Sequence, residues 1–214
     1  MEKKQKLKIT DIWYYYKGYV AIVLVVVLAI GYTVFNKVTE VKDDFLIECI
    51  SDIGFDYDAA YTLADSLEQS GAVPDINGDG NVQVNVATYQ TGLSGNKNID
   101  PQIAQVAQLR MAVGEGAIII ADKKVFEVYD RYEMFKDISS IADELGIDES
   151  KVVKSSDGKV VGIGITDSKW LAESGVKYDG LYAALRVMNA DNADDESLAA
   201  QFAAAEDILK YIIK

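Results

Sequence analysis

The chain has 214 residues and a formal charge of −13, from 34 acidic and 21 basic residues; half of it is hydrophobic and none of it is histidine. One cysteine excludes an internal disulfide, and the lack of histidine excludes Ser-His and Cys-His nucleophiles in their usual form and zinc sites of the Cys/His kind. The charge is unevenly divided: residues 1–36 carry five Lys against Glu2 and Asp11, a balance of +3, and the remainder holds 16 basic and 32 acidic residues, a balance of −16. A field of that sign repels nucleic acid, and no basic patch offsets it.

Residues 1–17 are a basic head that ends in Trp13, Tyr14, Tyr15 and Tyr16 before Lys17. Residues 18–35, GYVAIVLVVVLAIGYTVF, contain no charge and no proline. As a helix that run reaches about 27 Å, close to the thickness of a hydrocarbon core. Lys beside a span is retained in the cytoplasm, and Trp and Tyr favour the headgroup layer. The expected organisation is a cytoplasmic head (1–17), a single-pass signal-anchor helix (18–36), a stalk (37–43) and an extracytoplasmic domain (44–214) at the cell surface. Two other readings stay open. A cleaved signal peptide has a shorter apolar region and a small-x-small site, for which Ala29-Ile30-Gly31 is the near match. A buried helix of a soluble core is the other, and the run is long for one.

The domain reads as alternating strands and helices. Residues 45–51, FLIECIS, form a short apolar run consistent with a strand, with Cys49 as a small buried hydrophobe. Asp56 or Asp58 can cap a helix whose inner face is Ala60, Leu63, Ala64 and Leu67, ended by Gly71. VQVNVA (82–87) alternates as a strand does. Asp100-Pro101 starts a helix carrying Ile103, Val106, Ala107 and Leu109, ending near Gly114 or Gly116. AIIIA (117–121) reads as a strand covered on both faces. Short helices are expected over 123–132 and 140–145, the second with Ser140 and Asp143 at capping-box spacing. Residues 152–165 suit a hairpin turning at Asp157-Gly158. Residues 181–188 suit a further strand, with Ala183-Ala184-Leu185 leaving a helix open as the other reading, and a closing helix from about Asp194 presents Leu198, Phe202, Ala205, Leu209 and Ile212. The order implies an α/β fold class: one N-terminal transmembrane helix, then one three-layer domain on a mixed sheet, its first three strands parallel.

Asp75-Ile76-Asn77-Gly78-Asp79-Gly80-Asn81-Val82-Gln83 is the one segment with metal-ligand spacing. Asp75, Asn77 and Asp79 stand at positions 1, 3 and 5, Gly80 at the sharp turn, Asn81 at the carbonyl position and Gln83 at position 9. The segment resembles the calcium loops of EF-hands and dockerins, which implies a Ca2+ cofactor. Position 12, an acid in those families, is Val86. A plain turn of Gly, Asp and Asn is the competing reading.

The stretch MAVGEGAIIIADKKVFEVYDRYEMFKDIS resembles a segment of extracellular solute-binding proteins of the type II periplasmic-binding fold, where a Gly-bounded strand leads into a helix and a turn. The similarity covers residues 44–145. The chain is too short for the two lobes of that family, so the resemblance implies a one-lobed relative. In open α/β sheets ligands sit beyond the carboxyl ends of parallel strands, here Ser51, Asp52, Thr88, Gln90 and Asp122. Gly162-Ile163-Gly164 suits close packing inside a strand. Three functions follow as expectations: a non-catalytic surface domain binding a small ligand or a protein partner, a structural or assembly subunit of a membrane or envelope complex, and an enzyme using paired carboxylates.

Overall fold

The computed structural model describes residues 9–39, 42–52, 56–93, 99–173, 179–192 and 194–214, without the side chains of 9–15, 17, 33–39, 173 and 191. The side chains of Trp13, Tyr14 and Tyr15 lie outside the described residues. The chain divides into residues 1–42 and residues 43–214.

The first unit contains one helix, α1 (Ile9–Thr39), which is longer at both ends than the apolar run alone suggests. Its side chains from Tyr19 to Tyr32 are exposed on every face, Val20 at 42% and Tyr19 and Tyr32 at 69%. Among the described residues no helix is long and apolar enough to cross a membrane. The described side chains run unbroken over 18–32, which is less than the whole apolar stretch.

The second unit is an α/β domain. Its strands are β1 (Phe45–Ser51), β2 (Val84–Gln90), β3 (Ile118–Asp122), β4 (Val152–Lys154), β5 (Val160–Gly164) and β6 (Leu181–Leu185). They form one mixed sheet in the order β2-β1-β3-β6-β5-β4. β1 pairs parallel with β2 and β3, as the alternation with helices requires, and β6, β5 and β4 add antiparallel. Gly158, with φ +85°, makes the turn between β4 and β5.

Helices cover both faces. On one, α2 (Tyr57–Ser70), α5 (Ser139–Leu145), α6 (Lys169–Glu173) and α7 (Glu196–Ile213) bury Leu63, Leu67, Ile141, Trp170, Ile208 and Leu209 against Phe45, Ile47, Ile118 and Ile120. Burying a side chain of this size stabilises by about 1.5–3 kcal/mol. On the other face, α3 (Pro101–Val113) and α4 (Lys123–Tyr129) set Ala107, Met111, Val125 and Phe126 against Ile50, Ile119 and Ala184. Gly162 passes under Phe126 so closely that a Cβ there would meet the ring at 2.8 Å. The backbone is bare at that point because the ring occupies the space.

Caps explain most helix ends. Asp56 accepts from the Ala59 amide, Asp100 from Gln102, and Asp195 from Leu198. Gly71 ends α2 in the left-handed region, with φ +70°. Four expectations are corrected. The second strand begins at Val84, because Gln83 is the residue whose carbonyl meets the start of β1. The helix expected over 123–132 breaks at Tyr129 into a 3-10 turn over Asp130–Tyr132. Ser140 caps nothing in α5; Asp137 instead accepts from the Ser139 amide and hydroxyl one turn earlier. Of Ile103, Val106, Ala107 and Leu109 on α3, Ala107 is buried together with Met111, and the other three are exposed.

Candidate functional site

The carboxyl ends of β1, β2 and β3 bring most of the sequence-derived ligand residues together. Ser51 is buried opposite Gln90, and Thr88 pairs in register with Cys49. The chain passes from β1 through α2 to β2, and from β2 through α3 back across β1 to β3, so the topological switch lies between β1 and β3. A single carboxylate spans that gap. Asp122 Oδ2 accepts from the Asp52 amide at 2.8 Å, and its Oδ1 accepts from the Lys124 and Val125 amides at 3.0 and 3.2 Å. Asp52 Oδ1 accepts from the Thr91 hydroxyl at 2.6 Å. These groups therefore serve the chain: Asp122 caps α4 while fastening β1 to it. Residues 53–55 and 94–98, which follow β1 and β2 there, lie outside the described residues.

The 75–83 loop is closed by its own side chains. Asp75 accepts from the Gly78 and Gly80 amides, Asn77 Oδ1 from Asp79, and Asp79 from Asn81, each at 2.7–2.8 Å. Gly78 and Gly80 have φ +73° and +88°, where a side chain would be strained. Beneath the loop is Asp44, which is fully buried. It accepts from Ile76 and Asn77 through Oδ1 and from Gln83 through Oδ2. Val86, at the twelfth position, is buried in β2 and offers no side-chain oxygen, and Asp44 is shared among three amides. Among the described residues no group of three or more His, Cys, Asp or Glu could hold a metal ion.

Sequence reasoning missed a buried ion pair. Glu48 stands in the middle of β1, fully buried, on the face covered by α3 and α4. Arg186, just beyond β6 and 5% exposed, donates to Glu48 Oε2 at 2.7 Å, to the Met111 carbonyl at 2.7 Å and to the Gly116 carbonyl at 3.1 Å. Glu48 Oε1 is buried without a hydrogen bond of good geometry. Burial pushes the Glu48 carboxyl above its ordinary 4.5, against the pull of Arg186, then Arg110, then the Gly116 amide; burial likewise lowers Arg186. Gly114 and Gly116 make room for the pair, since a Cβ on Gly114 would stand 2.4 Å from Glu48 Oε2 and one on Gly116 2.7 Å from its Cγ. In the sequence Glu48 is a lone acid in an apolar strand with its partner 138 residues away. The legible signal was the acid itself, at an inward position flanked by buried residues.

Two surface hollows are lined suitably for contact with another molecule. One, of about 520 Å3, runs between α2 and the edge strand β2, with Tyr57 and Tyr61 above the acids Asp43, Asp65 and Glu68. Glu68 accepts the outward amide of Val84 there. The other, of about 660 Å3, is lined by Tyr129, Tyr132, Met134, Met188 and Gln108, with Arg186 beside them. Comparison with family models, with curated proteins and with solved structures finds no match.

Proposed function

We propose that the chain is a single-pass membrane protein that holds an acidic, one-lobed α/β domain on the extracytoplasmic side as a non-catalytic binding or docking module. The observation that carries this reading is α1: an unbroken apolar surface exposed all round the helix, with Val20, Ile22, Val23, Leu24, Val25 and Val26 each more than 40% exposed. A helix apolar on every side is stable only when its whole circumference leaves water, which a bilayer provides. The basic head orients it. Membranes washed with alkaline carbonate should retain the full chain; release into the wash would count against the anchor.

Within that frame, docking of a protein is better supported than capture of a solute, although the pattern over 44–145 that resembles solute-binding proteins keeps the second reading in play. The polar groups at the switch point are taken up by Asp122 and Asp52, whereas α3 presents an apolar face to solvent. Calcium at Asp75, Asn77, Asp79, Asn81 and Gln83 is a separate proposal, supported by the spacing and by the closure of Asp75 onto Gly80.

A further inference from the structure

The sheet has two outer edges, and only one of them is guarded. β4, at one end, is three residues long, shifts register between Val153 and Lys154, and carries Lys154 paired with Glu149 at 2.9 Å. A short strand, an irregularity and a lysine are devices that keep an edge from taking up another strand. β2, at the other end, has none of them. Its sequence VNVATYQ holds no charge and no proline, and all seven residues pair one for one with Phe45–Ser51. Among the described residues no strand pairs with its outer side. We propose that β2 receives an extended, Lys- or Arg-bearing segment of a partner protein, which adds to the sheet as a further strand. The inference deepens the reading of the domain as a docking module and rests on it.

Three observations select this occupant. The first is the form of the edge. The hollow of about 520 Å3 runs along β2 from Gln83 to Tyr89, beside α2. Val84 and Val86 bury their side chains in the core under α2. The Val84 amide points outward, where Glu68 Oε1 accepts it at 2.8 Å in the place of a neighbouring strand's carbonyl. Val86, two residues on, turns its backbone the same way.

The second is the rim. At 100° per residue Tyr57, Tyr61, Asp65 and Glu68 fall within about 80° of one another round α2, on the side toward β2. Tyr57 and Tyr61, 80% and 69% exposed, are more exposed than any other large hydrophobic side chain described in the domain. Tyrosine faces with carboxylates a turn or two away hold a cation by both groups.

The third is charge. Residues 43–214 carry 31 acidic and 14 basic residues, a balance of −17. Asp43, Asp65 and Glu68 line the hollow, and none of its lining residues is basic; Arg110 stacks over Tyr89 at 5.5 Å, and that ring packs with the core on the α3 side. A second copy adding its own β2 here would bring three carboxylates against three. A basic strand brings the counter-charge instead.

The test is fluorescence anisotropy with the detergent-solubilised full chain and a labelled peptide of alternating Lys and Val. The same peptide N-methylated throughout keeps its charge and loses its backbone donors. The plain peptide should bind saturably, and the methylated one several-fold more weakly. Asp65→Lys, in the rim, should weaken the plain peptide several-fold more than Asp207→Lys, an equal charge change at an exposed site of α7 outside the hollow. No binding, or equal binding of the two peptides, would overturn strand addition. Equal effects of the two substitutions would overturn this edge while leaving a docking module that uses another face. The measurement needs no bilayer, so failure of the anchor is a separate result.

Discussion

Glu48 and Arg186 show what a single residue costs in this fold. Each is buried, and each is stabilised by the other and by backbone groups that the Gly114-to-Gly116 turn leaves open. Arg186→Met leaves a carboxylate buried alone and should lower stability by about 3–5 kcal/mol at neutral pH, while Glu48→Leu with Arg186→Met should recover most of it. The pH dependence has a defined sign. Glu48 keeps its proton in the folded chain at pH values where the unfolded chain, near 4.5, has lost it. From that group, stability falls as pH rises from 4.5 through the raised value and is level beyond it. Arg186→Met raises the carboxyl further, so its penalty in denaturant melts should shrink towards pH 4.5; an equal penalty at pH 4.5 and 7.5 would contradict the ion-pair account. The exposed Asp157 behaves oppositely. Hydrogen bonds from Lys159 and then Ser155 hold it at about 2, so its small contribution is present above 3.8 and is lost as pH falls towards 2.

The loop over 75–83 depends on Asp44, which stands just before the first strand and ties Ile76, Asn77 and Gln83 to it. Asp44→Ala should cost roughly 3 kcal/mol, because three amides lose a charged acceptor in a buried setting. If calcium binds the loop, the unmodified chain will also melt higher in excess calcium than in chelator, and the difference will vanish in Asp75→Ala with Asp79→Ala; identical melting curves would leave the loop a hydrogen-bonded turn. At this scale much of the fold was legible. Asp56, Asp100 and Gly71 marked helix ends by chemistry that acts within a few residues, and the apolar run ending at Asp122 could only be a central strand. Pairings across the sheet were not legible. The meeting of Glu48 with Arg186 is set by β6 arriving beside β3, and Asp44 reads only as a polar residue at the start of the domain until the loop folds over it. α3 was harder to read for another reason: its apolar residues Ile103, Val106, Ala107, Leu109 and Met111 run round much of the helix, so periodicity alone could not say that Ala107 and Met111 would face the sheet.

The whole molecule is two units of opposite character. Residues 1–42 contain an apolar helix exposed on every side, and residues 43–214 an acidic domain with its own two-sided core. A net charge of −17 keeps such a domain soluble and apart from anionic surfaces, which suits a module held in place by something other than its own adhesion. The central claim is that α1 spans a membrane with the domain outside. Ser156, exposed in the turn between β4 and β5, offers a direct reporter, since Cys49 is buried and unreactive in the folded chain. A membrane-impermeant maleimide added to intact cells should label the Ser156→Cys chain fully, with no further labelling on lysis; labelling only after lysis would contradict the account.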